Sequence, residues 1–193
     1  RVEELEKILF KTPSNGNIGI GHVRWATHGV PNVANAHPHS TERVSVVHNG
    51  IIENSDEIKK DLEKKGFQFK SQTDTEVITL LITEALKNNK PIDSVFKTLR
   101  KLKGSFALGI IFKDFSDIII GARRGSPLAV GFSKDENYLG SDSYALKSMT
   151  NKISYLDDGE VCVLSKDNVN FYDSNNKKIN KKVHILSEDE NIV

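Results

Sequence analysis

The chain has 193 residues, 37% hydrophobic and 27% charged, which fits one globular domain with a sizeable core. Lys and Arg number 27 against 26 Asp and Glu, so a net charge of +1 gives no basic excess for nucleic acid or an anionic membrane. The single cysteine, Cys162, excludes an intrachain disulfide, and no apolar run approaches the roughly 20 residues that span a bilayer.

Residues 1–11 read as a short charged amphipathic helix, ended by the turn cluster Thr12-Pro13-Ser14-Asn15-Gly16. Strands are expected over 17–24 and 43–49, around a polar loop at 29–42 that contains Asn35-Ala36-His37-Pro38-His39. A helix should start at Asn54, with Glu57 in the capping-box position, and run to Lys65 before Gly66 stops it. Thr73-Asp74-Thr75-Glu76 reads as a second capping box. Thr73 would accept from the Glu76 N–H, ahead of the broad apolar run from Val77 to Leu86. A third helix is expected over 92–102, between Pro91 and Gly104.

From Gly104 the period turns strand-like. Runs at 105–112, 117–122, 128–132 and 138–140 are separated by Gly, Asp and Ser, and a short helix is expected at 143–148. Strands at 153–156, 160–164 and 169–172 complete the series, followed by a polar turn at 174–178 and a frayed end at 186–193. Short strands without βαβ alternation argue for antiparallel sheets, with the block of helices packed outside them. The pattern predicts an α+β sandwich.

Chemistry concentrates in two polar stretches at strand ends, Gly21 to Gly29 and His48 to Asn54. The only Trp, Trp25, lies in the first, and five of the six His fall between positions 22 and 48. These His lack the spacing of a metal centre, and no Cys or HExxH pattern accompanies them, so no metal and no cofactor is expected. Arg24 suits a carboxylate through its guanidinium fork, or forms a surface ion pair beside a core Trp25. Asn49-Gly50 offers an amide and an unhindered backbone N–H to an oxyanion, or simply makes a hairpin turn. Asp74 complements a helix dipole or holds an ammonium group. Cys162, in a strand-like run without a neighbouring His, reads as a buried small residue.

The ordered set Arg24-Trp25-Ala26-Thr27-His28-Gly29, Asn35-Ala36-His37-Pro38-His39, His48-Asn49-Gly50-Ile51-Ile52-Glu53-Asn54, Thr73-Asp74-Thr75-Glu76-Val77, Gly125-Ser126-Pro127-Leu128 and Ser141-Asp142 spans most of the chain. It resembles the glutaminase domains of the glutamine–fructose-6-phosphate aminotransferase family, which are class II glutamine amidotransferases. The resemblance implies a four-layer αββα sandwich of the N-terminal-nucleophile hydrolase type. It also implies hydrolysis of glutamine by an N-terminal Cys whose α-amino group serves as base. Ammonia would pass to fructose 6-phosphate to give glucosamine 6-phosphate, in cytoplasmic hexosamine synthesis by a homo-oligomer.

Carried over on the motifs, Arg24 would bind the glutamine α-carboxylate and Asp74 its α-ammonium. Trp25, Thr27 and His28 would line the pocket, and Asn49 with Gly50 would form the oxyanion hole. The chain begins Arg1-Val2-Glu3, without an initiator Met. It is therefore expected to be one N-terminally truncated glutaminase domain over 1–193, without the nucleophile segment and the sugar isomerase domain. The alternative is a catalytically inactive glutamine-binding sensor of the same fold.

Overall fold

The structure, a computed structural model, describes residues 2–23 and 32–187. Four helices form: α1 (Val2–Lys11), α2 (Ser55–Lys64), α3 (Thr75–Ala85) and α4 (Pro91–Leu99). The strands begin with β1 (His39–Ser40), β2 (Val44–Ile52), β3 (Gly104–Phe112), β4 (Phe115–Arg124), β5 (Ala129–Phe132) and β6 (Asn137–Gly140). A 3₁₀ turn at Tyr144–Leu146 precedes β7 (Lys152–Tyr155), β8 (Val161–Leu164), β9 (Val169–Tyr172), β10 (Lys178–Ile179) and β11 (His184–Ile185). Among the described residues these strands make two sheets, ordered β1-β2-β3-β4-β8-β9-β10 and β11-β7-β5-β6. Every pairing is antiparallel, as short connections allow.

The two-residue alternation of the long strands sorts side chains between two cores. Phe106, Leu108, Ile110 and Phe112 of β3 point toward the helices, joining Val46, Ile120 and Val161 with Ile78, Ile82, Val95 and Phe96. Ala107, Cys162 and Leu164 point the other way, against Val130, Leu156 and Leu139. The layers are therefore helices α2 to α4, the large sheet, and the small sheet. The outer face of the small sheet carries Ala129 and Ile153 under Leu146 of the 3₁₀ turn. Each fully buried Leu or Ile contributes about 1.5–3 kcal/mol, so the helix-facing core dominates stability.

Paired Gly109 and Gly121, on neighbouring strands, leave a trough for Leu139 of the small sheet. A Cβ on Gly121 would lie 2.9 Å from Leu139 Cδ1 and 2.7 Å from Cys162 Sγ. Close sheet packing at this point requires glycine.

Most expected elements form within a residue or two of their bounds. Three differences have physical causes. Residues 17–23 pair with no strand among the described residues. Instead Ile20 lies over the inter-sheet face, where a Cβ on Gly109 would be 3.9 Å from Ile20 Cγ2. The segment satisfies its apolar side chains by lying on a sheet, not by extending one. The loop at 29–42 ends in a two-residue strand, His39–Ser40, paired with β2. The polar turn at 174–178 is bounded by β10, and β11 adds an edge to the small sheet, both too short for a periodic signal.

Helix α1 is amphipathic as expected, yet Leu5, Ile8, Leu9 and Phe10 are all exposed. No helix among the described residues is long and apolar enough to cross a membrane.

Candidate active site

The Asn-Gly pair does not make a turn. Both residues lie inside β2, with Asn49 opposite Ala107 and Gly50 opposite Phe106. Gly50 has φ +123°, and a Cβ there would sit on the Ser105 carbonyl group, 2.8 Å from its carbon. A side chain is excluded both by conformation and by the neighbouring backbone. The strand alternates until this point, and then Asn49, Gly50 and Ile51 are all exposed. The distortion at Gly50 thus turns a polar strand end outward while β2 keeps its ladder with β3 through Ile52 and Gly104.

Helix α3 brings Asp74 to the same place. The Asp74 Oδ2 accepts from the Ile52 backbone N–H at 2.8 Å, two residues beyond Gly50. The capping box expected at 73–76 is not formed. Asp74 is the N-cap, with α-helical backbone angles and no side-chain cap bond, because its carboxylate reaches across to β2. The Thr73 hydroxyl is engaged by His39 Nε2 at 2.8 Å and by Ser71 Oγ at 3.1 Å. Glu76 binds the loop before the helix, accepting from the N–H groups of Lys70 (2.8 Å) and Ser71 (2.7 Å). Asn54 behaves similarly. It makes no side-chain cap for α2, and ties the Lys101 carbonyl and Lys103 N–H instead, each at 2.9 Å.

Four imidazoles pack between β2 and the start of α3. His37 Nε2 and His48 Nδ1 both contact the Thr75 hydroxyl at 3.0 Å. His22 stacks on His37 with ring centroids 4.4 Å apart, and its Nε2 meets Asn49 Oδ1 at 2.7 Å. Burial of His48 pushes its pKa below the ordinary 6.5, outweighing the opposing pull of Asp74, with His22 and His39 adding to the fall. A neutral ring therefore suits His48. Among the described residues no group of three His, Cys, Asp or Glu is arranged to hold a metal ion.

The structure thus gathers Asn49, Gly50 and Asp74 at one strand end, whereas Arg24, Trp25, Thr27 and His28 lie outside the described residues. Cys162 sits far from nucleophile chemistry: it is fully buried in β8, and burial pushes its thiol up to about 12. Thr75 was not singled out by sequence, and His22 stood out only as one of the clustered histidines. The available signal is the matched spacing of His37 and His39 against Thr75 and Thr73, which pair in reverse order.

A buried polar cluster thus lies beneath an exposed amide and a glycine closely approached by neighbouring backbone. The glutamine amidotransferase domain family matches residues 22–148, and the chain belongs to it. Its α+β sandwich of antiparallel sheets is of the N-terminal-nucleophile type. The particular relatives are aminotransferases. The chain is 50% identical over 179 residues to glutamine–fructose-6-phosphate aminotransferase [isomerizing] of Mesorhizobium japonicum, covering 92% of this chain and 30% of that protein. It is 48% identical over 184 residues to the enzyme of the same name from Zymomonas mobilis, covering 95% and 30%. The chain therefore spans about 30% of the length of these curated relatives.

Two solved structures share the fold. Glutamine phosphoribosylpyrophosphate amidotransferase from B. subtilis, complexed with ADP and GMP, superposes with a TM-score of 0.66 at 25% identity, covering 79% of this chain and 34% of that one. A structure described as the allosteric regulatory enzyme of purine biosynthesis gives 0.67 at 26% identity, with the same coverage of 79% and 34%.

Proposed function

We propose that this chain is the glutamine-hydrolysing domain of a glutamine–fructose-6-phosphate aminotransferase, releasing ammonia for conversion of fructose 6-phosphate to glucosamine 6-phosphate. The observation that carries the reading is Gly50 at φ +123° inside β2, beside an exposed Asn49 and two residues from Ile52, whose N–H anchors the Asp74 carboxylate. Gly50 lies inside the β2–β3 ladder and not in a turn. Its conformation is open to glycine and strained for any residue with a Cβ, and such positions cluster at sites of chemistry.

In this reading a thiolate attacks the side-chain amide carbon of glutamine. Negative charge develops on the amide oxygen, where the Asn49 amide and the Gly50 N–H donate to it. Collapse of the tetrahedral intermediate expels ammonia and leaves a glutamyl thioester, which water then cleaves to glutamate and free thiol. Asp74, fixed by the Ile52 N–H, holds the substrate α-ammonium. Arg24 pairs with the α-carboxylate, and Trp25, Thr27 and His28 close the pocket. Cys162 is not the thiol, given its burial and raised pKa. The attacking group is an N-terminal Cys of the whole protein, and its α-amino group takes the proton.

We assign 1–193 to one glutaminase domain and the sugar chemistry to a separate isomerase domain. The whole protein would act as a homo-oligomer in cytoplasmic hexosamine synthesis, without nucleic acid, membrane or cofactor. The test is product balance in the full-length protein supplied with glutamine and fructose 6-phosphate. Equimolar glutamate and glucosamine 6-phosphate are expected. Glutamine binding without glutamate release would replace the enzyme with a sensor of the same fold.

A further inference from the structure

We infer that His22 is a positioning residue for the oxyanion hole, acting by fixing which end of the Asn49 carboxamide faces the substrate. The inference rests on the proposed role of Asn49. A carboxamide has an accepting oxygen and a donating nitrogen at opposite corners, and a half-turn about its last bond exchanges them. Only the nitrogen can stabilise an oxyanion; the oxygen would repel it. An exposed Asn at a strand end needs something to choose between the two orientations.

His22 makes that choice. Its Nε2 lies 2.7 Å from Asn49 Oδ1, and because this oxygen only accepts, the ring donates from Nε2. The other ring nitrogen, Nδ1, is buried and has no hydrogen-bond partner among the described residues, as suits the nitrogen that carries no proton. With Oδ1 tied to the ring, Nδ2 is turned away from His22 and available at the exposed strand end. The ring itself is held in place. It stacks on His37 at 4.4 Å with an interplanar angle of 30°, and His37 is anchored through Thr75 to His48.

The chain of contacts therefore runs from the core of the helix layer to the reacting group. Thr75 is buried at the start of α3, His48 is buried in β2, and the stacked pair His37 and His22 carries their placement out to Asn49. Such supporting contacts are what hold a catalytic donor within a fraction of an ångström of its working position.

The test compares His22→Leu, His22→Gln, Asn49→Ala and the double variant His22→Leu with Asn49→Ala in the full-length protein. Glutamine hydrolysis and thermal unfolding are measured on each. Loss of one oxyanion donor lowers kcat by about 100-fold or more. His22→Leu, which packs but cannot donate, should lower kcat at least 10-fold with KM for glutamine little changed. His22→Gln, whose amide nitrogen can reach Asn49 Oδ1, should recover most of the loss.

In the Asn49→Ala background, His22→Leu should cost nothing further, because its partner is already gone. A merely structural role would instead give a loss that persists in that background and tracks the melting temperature. That result, or full activity of His22→Leu with Asn49→Ala impaired, overturns the inference alone. Full activity of Asn49→Ala would overturn the oxyanion reading on which it stands.

Discussion

Two glycines of the large sheet, Gly50 and Gly121, are indispensable for opposite reasons. Gly121 sits mid-strand with ordinary backbone, and its missing Cβ makes room for Cys162 Sγ and Leu139. Everything around it is apolar and closed, so the one thiol of the chain is held protonated and unreactive. Gly50 sits two residues from the end of β2, with φ +123°, and its missing Cβ lets the Ser105 carbonyl approach. The strand is open to solvent here, and the polar Asn49 amide is exposed beside it. A thiol in the sheet centre is silent, whereas an amide at the strand end is poised. Position in the sheet, more than residue type, decides which group can do chemistry.

The largest expected effect falls on the strand end. Asn49→Ala should lower glutamine turnover by about 100- to 1,000-fold, the cost of one oxyanion donor. Because the side chain is exposed, the melting temperature should stay near that of the parent. Gly50→Ala should lose turnover and stability together. The backbone conformation alone costs about 1–3 kcal/mol in a residue with a Cβ, and the clash with Ser105 adds to it. Chemical denaturation would measure the sum.

Gly121→Ala should be the mirror image, destabilising by about 1–3 kcal/mol through overpacking while the folded fraction keeps its activity. Cys162→Ala in that background should restore part of the loss, because it removes the atom that the new methyl would meet at 2.7 Å. If both glycine variants lost activity in proportion to stability, the contrast between the two positions would fail.

A smaller effect is expected from pH. His48 is buried and titrates below its ordinary 6.5, so near and below that pH the unfolded chain binds a proton that the folded chain refuses. Stability contributed by neutral His48 is present above pH 6.5 and declines as pH falls through that value. Melting temperature should drop on acidification below about 6.5, and the His48→Gln variant should drop less steeply.

Much of this contrast was legible in the residues. The alternation of β3 and β9 and the run opening α3 carry enough periodicity to predict their elements, and Cys162 declared itself buried by its strand-like neighbours. The site was legible differently. Asn49-Gly50 read locally as a hairpin, since the same dipeptide serves tight turns, and only the spread of motifs along the chain weighed toward chemistry. Local reading also misplaced Thr73, Glu76 and Asn54. Each has a capping residue's sequence spacing, but a long-range partner takes two of the side chains, His39 for Thr73 and the Lys101–Lys103 turn for Asn54, while Glu76 turns back to nearby Lys70 and Ser71. Contacts at a separation of 30 residues or more leave no periodic trace. Residues 17–23 were misread for a related reason, because apolar alternation specifies a buried face and not a hydrogen-bonded neighbour.

The most direct measurement is glutamine turnover by Cys162→Ala beside Asn49→Ala, in the full-length protein at equal folded concentration. We expect Cys162→Ala to match the parent and Asn49→Ala to fall by about 100-fold or more. Loss of turnover in a folded Cys162→Ala protein, with Asn49→Ala unaffected, would contradict the assignment of chemistry to the strand end.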